Sequence, residues 1–415
     1  MVKKFITYLM ILLAVFMTAC IDKETKFKND FQELKENTGR QYVPDKRVGL
    51  LEADGYFIGK KVVLKGITTS SEAKSTLIAG LEKREYGVID SLQLLPDEAG
   101  LEGKTYGVVN LSVCNMRAGS DFSSEMVTQG LLGMPVRVLQ RNDWYRIQTP
   151  DNYIGWVHRT GIFAMTKQEY NEWNNAEKVI VTSHYGFTYE KPDITSQPIS
   201  DVVAGNRLKW ERTEGEFYKV SYPDGKQAYI AKSIAQPETE WRASLSQDAG
   251  SIVRTALSMN GIPYLWAGTS SKGVDCSGFV RTVLYMHDII IPRDASQQAY
   301  VGEHIDIAPD FANLQPGDLL FFGRPAVEGK RERIVHTGIY LGDKKFIHSQ
   351  GYVHISSFNR EDDEFDAFNL NRLLFATRIL PVINRSNGGE IHTTLTNSYY
   401  LSQKYIAVDI QSDPK

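Results

Sequence analysis

The segment Asp275-Cys276-Ser277-Gly278-Phe279-Val280 constrains this chain more than any other. Asp is a good helix N-cap, and Phe279, Val280, Val283 and Leu284 recur at the spacing of one helical face. The pattern predicts a helix that opens at Asp275 and carries Cys276 in its first turn. A thiol placed there meets unpaired backbone amides and the positive end of the helix dipole, which favour the thiolate, the nucleophilic form. The same amides can stabilise an oxyanion on a carbonyl under attack. On this segment alone, a buried structural Cys is an equally good reading.

A nucleophilic Cys needs a base. Ile334-Val335-His336-Thr337-Gly338-Ile339-Tyr340 reads as a strand, and Lys345-Phe346-Ile347-His348 as its antiparallel partner across a turn at Gly342-Asp343-Lys344. The two histidines are an even number of residues apart, so a hairpin folded near 342 or 343 brings them close within a small register slip. In that arrangement His336 would take the proton of Cys276, and His348 would hold His336 in the required tautomer. His287, His304, His354, His158, His184 and His392 fall in no motif and read as structural.

The stretch from Tyr264 to His348 resembles the NlpC-type papain-like cell-wall cysteine peptidases. The matching motifs are Tyr264-Leu265-Trp266-Ala267-Gly268, Asp275-Cys276-Ser277-Gly278-Phe279, Gly317-Asp318-Leu319-Leu320-Phe321-Phe322, His336-Thr337-Gly338-Ile339-Tyr340 and Phe346-Ile347-His348. By that resemblance the catalytic residues are Cys276, His336 and His348, with the Tyr264 hydroxyl near the oxyanion. The family hydrolyses the bond after γ-D-glutamate in peptidoglycan peptides, usually before a diamino acid, through a thioester on the Cys and without a cofactor. Trp266, Asp275, Ser277, Arg293 and Asp294 are the expected substrate contacts around it. Arg293 offers a bidentate fork for the α-carboxylate of D-Glu, and Asp294 an acceptor for an amine; a surface ion pair or N-cap reads equally well for both.

Residues 105–235 hold a weak internal repeat. Gly133, Asp143-Trp144-Tyr145-Arg146-Ile147 and Gly155-Trp156-Val157 are answered by Gly205, Glu216-Phe217-Tyr218-Lys219-Val220 and Ala228-Tyr229-Ile230. Short alternating strands with polar turns predict two small barrels, at 105–170 and 175–237, which resemble bacterial SH3-like domains. Some family members set the first of two such barrels against the catalytic groove, leaving room for one L-Ala with a free amino group. Glu125 and Tyr153, with Asp294 opposite, are the candidates here to hold its ammonium; the plainer reading is a solvated loop charge and a barrel surface aromatic.

The rest of the chain frames these parts. Lys3 and Lys4 precede an apolar run to Ala19, which ends in Val15-Phe16-Met17-Thr18-Ala19-Cys20. This is the form of a secretory signal, and it resembles the bacterial lipoprotein signal with Cys20 lipidated, although Met17 stands where Leu is commonest. Residues 1–20 are thus expected to be a signal, and the charged residues 21–40 a tether or short helix. Residues 41–104 predict a small α+β unit, with apolar runs Val48–Leu51, Val62–Leu64 and Val88–Leu95 and a helix from Ser70 to Lys83. The papain-like domain spans 245–380, and 381–415 forms a tail that packs on a neighbour or extends a sheet. The fold class is α+β.

Of three cysteines, Cys20 takes lipid, Cys276 must stay free, and Cys114 reads as a buried apolar residue. No metal-ligand spacing is present, so neither metal nor cofactor is expected. A net charge of −3 with no basic run gives no case for nucleic acid. The expectation is an exported, lipid-anchored monomeric cysteine peptidase acting on peptidoglycan-derived peptides. The rival is a wall-binding lipoprotein with an inactive catalytic domain; an acyltransferase on the same fold is the third reading.

Overall fold

The computed structural model describes residues 24–385 and 391–401. The N-terminal apolar run and Cys20 lie outside the described residues. The chain divides into two compact units, Met1–Asp97 and Glu98–Lys415.

In the first unit, strands Leu51–Ile58 and Lys61–Thr68 form an antiparallel hairpin, and helix Ser71–Lys83 carries the chain over to Gly87–Leu94, parallel to the middle strand. Ser70 caps the helix by accepting from the Ala73 amide at 3.0 Å, and Ala73, Leu77 and Leu81 bury one face at helical spacing. Of the two readings of residues 21–40, the helix is the one observed. Residues 24–42 are helical, and Phe27, Phe31 and Leu34 pack with Val62, Leu64 and Leu77. Their i, i+4, i+7 spacing outweighs the polar residues between them, which cover the solvent face. The unit also ends at Asp97 rather than 104, because Leu101 is buried in the core of the next sheet.

The second unit opens with two seven-stranded antiparallel sheets. The first runs in the order Ile162–Met165, Tyr106–Val109, Pro135–Arg141, Trp144–Gln148, Ile154–His158, Val113–Arg117, Met126–Leu131. The second repeats that order with Ala235–Pro237, Lys178–Val181, Arg207–Glu214, Phe217–Ser221, Gln227–Ala231, Tyr185–Tyr189 and Pro198–Val203. The repeat survives in detail: Arg146 pairs with Trp156 across strands as Lys219 does with Tyr229, and each cation lies over its aromatic partner. Among the described residues no ladder joins the end strands, so these SH3-like domains are open rather than fully closed sheets.

The remainder is a six-stranded antiparallel sheet, ordered Glu303–Ile305, Leu373–Arg378, Leu319–Arg324, Arg333–Gly342, Lys345–Gln350, Tyr352–Ser357. Alternation along its strands buries both faces. Leu319, Phe321, Ile339 and Ile347 pack against helix Cys276–Tyr285, while Leu320, Phe322, Tyr340 and Phe346 build a second core behind. Phe279, Val280 and Val283 of the helix are fully buried, each contributing about 1.5–3 kcal/mol of transfer free energy. Of the tail, residues 391–401 pack back onto the unit: His392 bridges to Ile290, Asn397 donates to the Pro150 carbonyl, and Tyr400 joins the core of the first sheet.

Candidate active site

The helix start is assembled around Asp275. One carboxylate oxygen accepts from the Gly278 amide at 2.6 Å, and the other from the Ala267 amide at 3.0 Å. This ties the Tyr264–Gly268 loop to the first helical turn. The loop crosses so closely that a Cβ on Gly278 would lie 1.9 Å from the Gly268 carbonyl oxygen. Arg293, only 1 % exposed, grips Asp275 with both terminal nitrogens at 3.2 and 2.7 Å. It also donates to the Ser277 hydroxyl at 2.8 Å and, through Nε, to Thr128 of the first SH3-like sheet at 3.0 Å. Asp275, Ser277 and Arg293, expected to touch substrate, are thus buried and engaged with one another. Arg293 already pairs with a protein carboxylate, which corrects its reading as an open fork for D-Glu.

Cys276 is partly exposed. The backbone amides of Thr337 and Ser277 favour its thiolate, which puts the sulfur against the strand that carries His336. His336 Nε2 lies 2.7 Å from His348 Nδ1. The register explains this contact. Ile339 pairs with Ile347, so Gly338 faces His348, and a Cβ at 338 would come within 3.0 Å of the His348 Cβ. The bare glycine gives the His348 ring room to lean along the strand to His336. His348 Nε2 in turn lies 3.1 Å from the Ser356 hydroxyl on the next strand. With the hydroxyl accepting from Nε2–H, His348 Nδ1 must accept from His336 Nε2–H, and His336 Nδ1 keeps its lone pair. Sequence reasoning missed Ser356. It also read His354 as bland, whereas that ring packs on His348 at 4.5 Å.

Electrostatics set the resting protonation. Burial pushes the Cys276 thiol up to about 12 and the Asp275 carboxylate adds to it; the two amide hydrogen bonds and the Arg293 cation pull the other way. The expected gain from the helix start is therefore outweighed in the free protein. Burial, then His348, Arg372 and His354, hold His336 well below its usual value. His348 falls to about 3, through burial and then His354. Thiol and imidazoles are all neutral at rest. Tyr264 is half-buried near the sulfur; burial, then Cys276 and Asp275, push its phenol up to about 12, so it stays a donor. This set can pass a thiol proton to His336 and offer the Cys276 amide and the Tyr264 hydroxyl to a developing oxyanion.

The first SH3-like sheet reaches into the same groove. Trp266, 60 % exposed, donates its indole N–H to Glu125 at 3.0 Å. Tyr153 donates to Asp294 at 3.3 Å, and Asp294 also caps helix Ala295–Gln298. Gln129 receives the Thr269 amide at 2.9 Å, fixing the sheet to the loop before the Cys276 helix. Four of the residues read as substrate contacts, two from each domain, thus meet in two pairs across the domains.

Comparison with known proteins finds relatives of both parts of the second unit. The model of the NlpC/P60 family matches residues 261–367, and that of the bacterial dipeptidyl-peptidase Sh3 domain matches residues 116–162. The chain is 31 % identical over 236 residues to a gamma-D-glutamyl-L-lysine dipeptidyl-peptidase of Bacillus cereus, covering 55 % of this chain and 68 % of that one. It is 27 % identical to dipeptidyl-peptidase 6 of Lysinibacillus sphaericus, covering 61 % and 92 %. Among solved structures, an NlpC/P60 family protein from Bacillus cereus superposes with a TM-score of 0.55 at 25 % identity, over 66 % of this chain and all of that one.

Proposed function

The chain belongs to the NlpC/P60 family and is a cysteine peptidase, and from that premise we propose that it hydrolyses the γ-D-glutamyl–diamino acid bond of peptidoglycan stem peptides with a free N-terminal L-Ala. Cys276 attacks the γ-carbonyl of D-Glu while His336 Nδ1 takes the thiol proton. The Cys276 amide and the Tyr264 hydroxyl stabilise the oxyanion. The imidazolium then protonates the departing α-amine of the diamino acid, and water releases the dipeptide from the thioester. His348 and Ser356 hold the tautomer that makes this proton path possible.

The observation that carries the reading is the pair of cross-domain contacts Glu125–Trp266 and Tyr153–Asp294. In this reading the two carboxylates and the phenol receive the end of the peptide, two residues before the scissile bond. A terminal ammonium would bring these carboxylates a charged donor, which an acetylated or sugar-linked amine cannot supply. The names of the similar dipeptidyl-peptidases point the same way. The test compares kcat/KM for L-Ala-γ-D-Glu-L-Lys and its N-acetyl form. The free peptide is expected to lead by roughly a hundredfold or more, and Glu125→Gln to narrow the gap. Equal values for the two peptides would mean an open groove and an enzyme of intact wall.

The leader segment completes the proposal. Cys20 carries lipid and anchors an exported enzyme to the cell envelope. Cys20→Ser is expected to move the protein from membrane to soluble fractions of the envelope; unchanged fractionation would refute the anchor.

A further inference from the structure

Arg372 lies between helix Ala367–Leu370 and strand Leu373–Arg378, beyond the residues that the family model matches. Its guanidinium is fixed on three sides. Nε and Nη2 both donate to Asn369 Oδ1, at 2.9 and 2.7 Å, and the group stacks 4.3 Å from the Phe368 ring centroid and 5.9 Å from that of Phe322. Asn369 is itself fully buried and anchored to Gln350 at 3.2 Å and to Asp366. The cation is half-buried, yet among the described residues no carboxylate forms an ion pair with it and Nη1 has no partner. The nearby Asp366 carboxylate is taken by the Asn369 amide and side chain. A rigid, partly desolvated guanidinium with an open edge is costly to maintain and well formed to receive an anion.

Its position defines which anion. The Phe322 ring that Arg372 overlies also meets the His336 ring at 5.5 Å. The charge of Arg372 is felt at His336, His348 and Cys276. His336 must protonate the departing amine, so the leaving residue sits on the His336 side of Cys276. Glu125, Trp266, Tyr153 and Asp294 occupy the acyl side. We propose that Arg372 binds a carboxylate of the diamino acid on the leaving side of the scissile bond and so selects that residue. This rests on the proposed peptidase reaction. The carboxylate is either the main-chain one of a peptide ending there or the side-chain one of diaminopimelate.

Four peptides separate the sources: L-Ala-γ-D-Glu-L-Lys, its C-terminal amide, and the same two with meso-diaminopimelate in place of Lys, amidated at the main-chain carboxyl only. Reading of the main-chain carboxylate makes the wild type prefer both acids to both amides. Reading of the side-chain carboxylate makes it prefer both diaminopimelate peptides to both Lys peptides. The expected preference is roughly tenfold to a hundredfold in kcat/KM, and R372Q should bring it close to one while R372K keeps part of it. Measuring the preference as a ratio within each variant removes any general loss of folded enzyme. If the wild type shows neither preference, or R372Q keeps it, the proposal falls. An Arg372 acting only on the thiol would slow all four peptides alike and leave the ratio unchanged, which also overturns it. Failure of the wild type to cleave any of the four would instead refute the reaction itself.

Discussion

A neutral thiol beside two neutral imidazoles is an unusual resting state for a nucleophile, and it follows from burial. His336 is buried and Cys276 only partly exposed, and desolvation outweighs the amides and Arg293 that favour the thiolate. Cys276→Ala is expected to abolish hydrolysis while changing folding stability by no more than about 1 kcal/mol, because the thiol is partly exposed; retained turnover would exclude the covalent route. His336→Gln should lose at least about a thousandfold in kcat, and His348→Gln clearly less, since an amide can still pair with His336. His348 also gives a stability signature. An unfolded His takes its proton near about 6.5, whereas His348 in the fold takes it only near about 3. The unfolded chain therefore binds more protons across that window, and stability is full above about 6.5 and declines as the pH falls towards about 3. His348→Gln should flatten this decline, read as Tm against pH; the same slope in both proteins would contradict the assignment. Cys276, His336 and His348 were legible in the sequence because each residue type carries its chemistry with it. Ser356, His354 and Arg372 were not. A serine, a histidine and an arginine acquire roles here only through cross-strand register and stacking, which no local pattern encodes.

Between residue and domain, the elements that position the site were read with good fidelity where periodicity was strong. The helix opening at Asp275 and the two strands that carry His336 and His348 lie where capping and alternation placed them, within one or two residues. The exact register of the hairpin was not readable, because a bulge between Tyr340 and Gly342 shifts the pairing by one residue. Residues 24–42 stayed open between tether and helix for a different reason: a helix with a narrow apolar stripe among many charges has the composition of a linker until its spacing is counted. Close approach of backbones was also invisible. Gly278 stands out, since any side chain there would collide with the Gly268 carbonyl, a backbone atom that cannot swing aside. Gly278→Ala is thus expected to cost more than about 3 kcal/mol, or to push the Tyr264–Gly268 loop off the helix and drop kcat at least about tenfold. Urea unfolding together with kcat checks both branches. A variant with parental stability and rate would show that the loop is not held by this contact.

At the scale of the molecule, one buried side chain joins pieces that are far apart in sequence. Arg207 opens a strand of the second SH3-like sheet, and its amide donates to the Leu132 carbonyl of the first sheet at 2.8 Å. Its side chain pairs with Glu238 at 2.8 Å and hydrogen-bonds the hydroxyl of Tyr285, the last residue of the helix that begins at Cys276. The guanidinium also lies against the rings of Trp241, Tyr285 and Tyr400, the last from the C-terminal segment. The sequence showed the domains in order but not this junction, because single residues from a strand, a helix end and a patternless tail compose it. The consequence is that the second SH3-like sheet, which contributes none of the groove contacts described, still bears on catalysis by fixing the far end of the Cys276 helix. Arg207→Ala removes a fully buried cation and leaves Glu238 with Arg242 as its remaining ion-pair partner at 3.0 Å. Breaking a buried pair from one side costs about 3–5 kcal/mol, and Arg242 holds the loss here to about 3. Arg207→Met, which fills most of the volume without the charge, should recover part of that stability, as apolar replacements of buried ions often do. Heat inactivation of the peptidase activity, followed for both variants, gives the comparison. If Arg207→Ala inactivates at the parental temperature, the junction is decorative and the second sheet is free of the catalytic fold; if Arg207→Met is as unstable as Arg207→Ala, the hydrogen bonds rather than the filled volume hold the helix end in place.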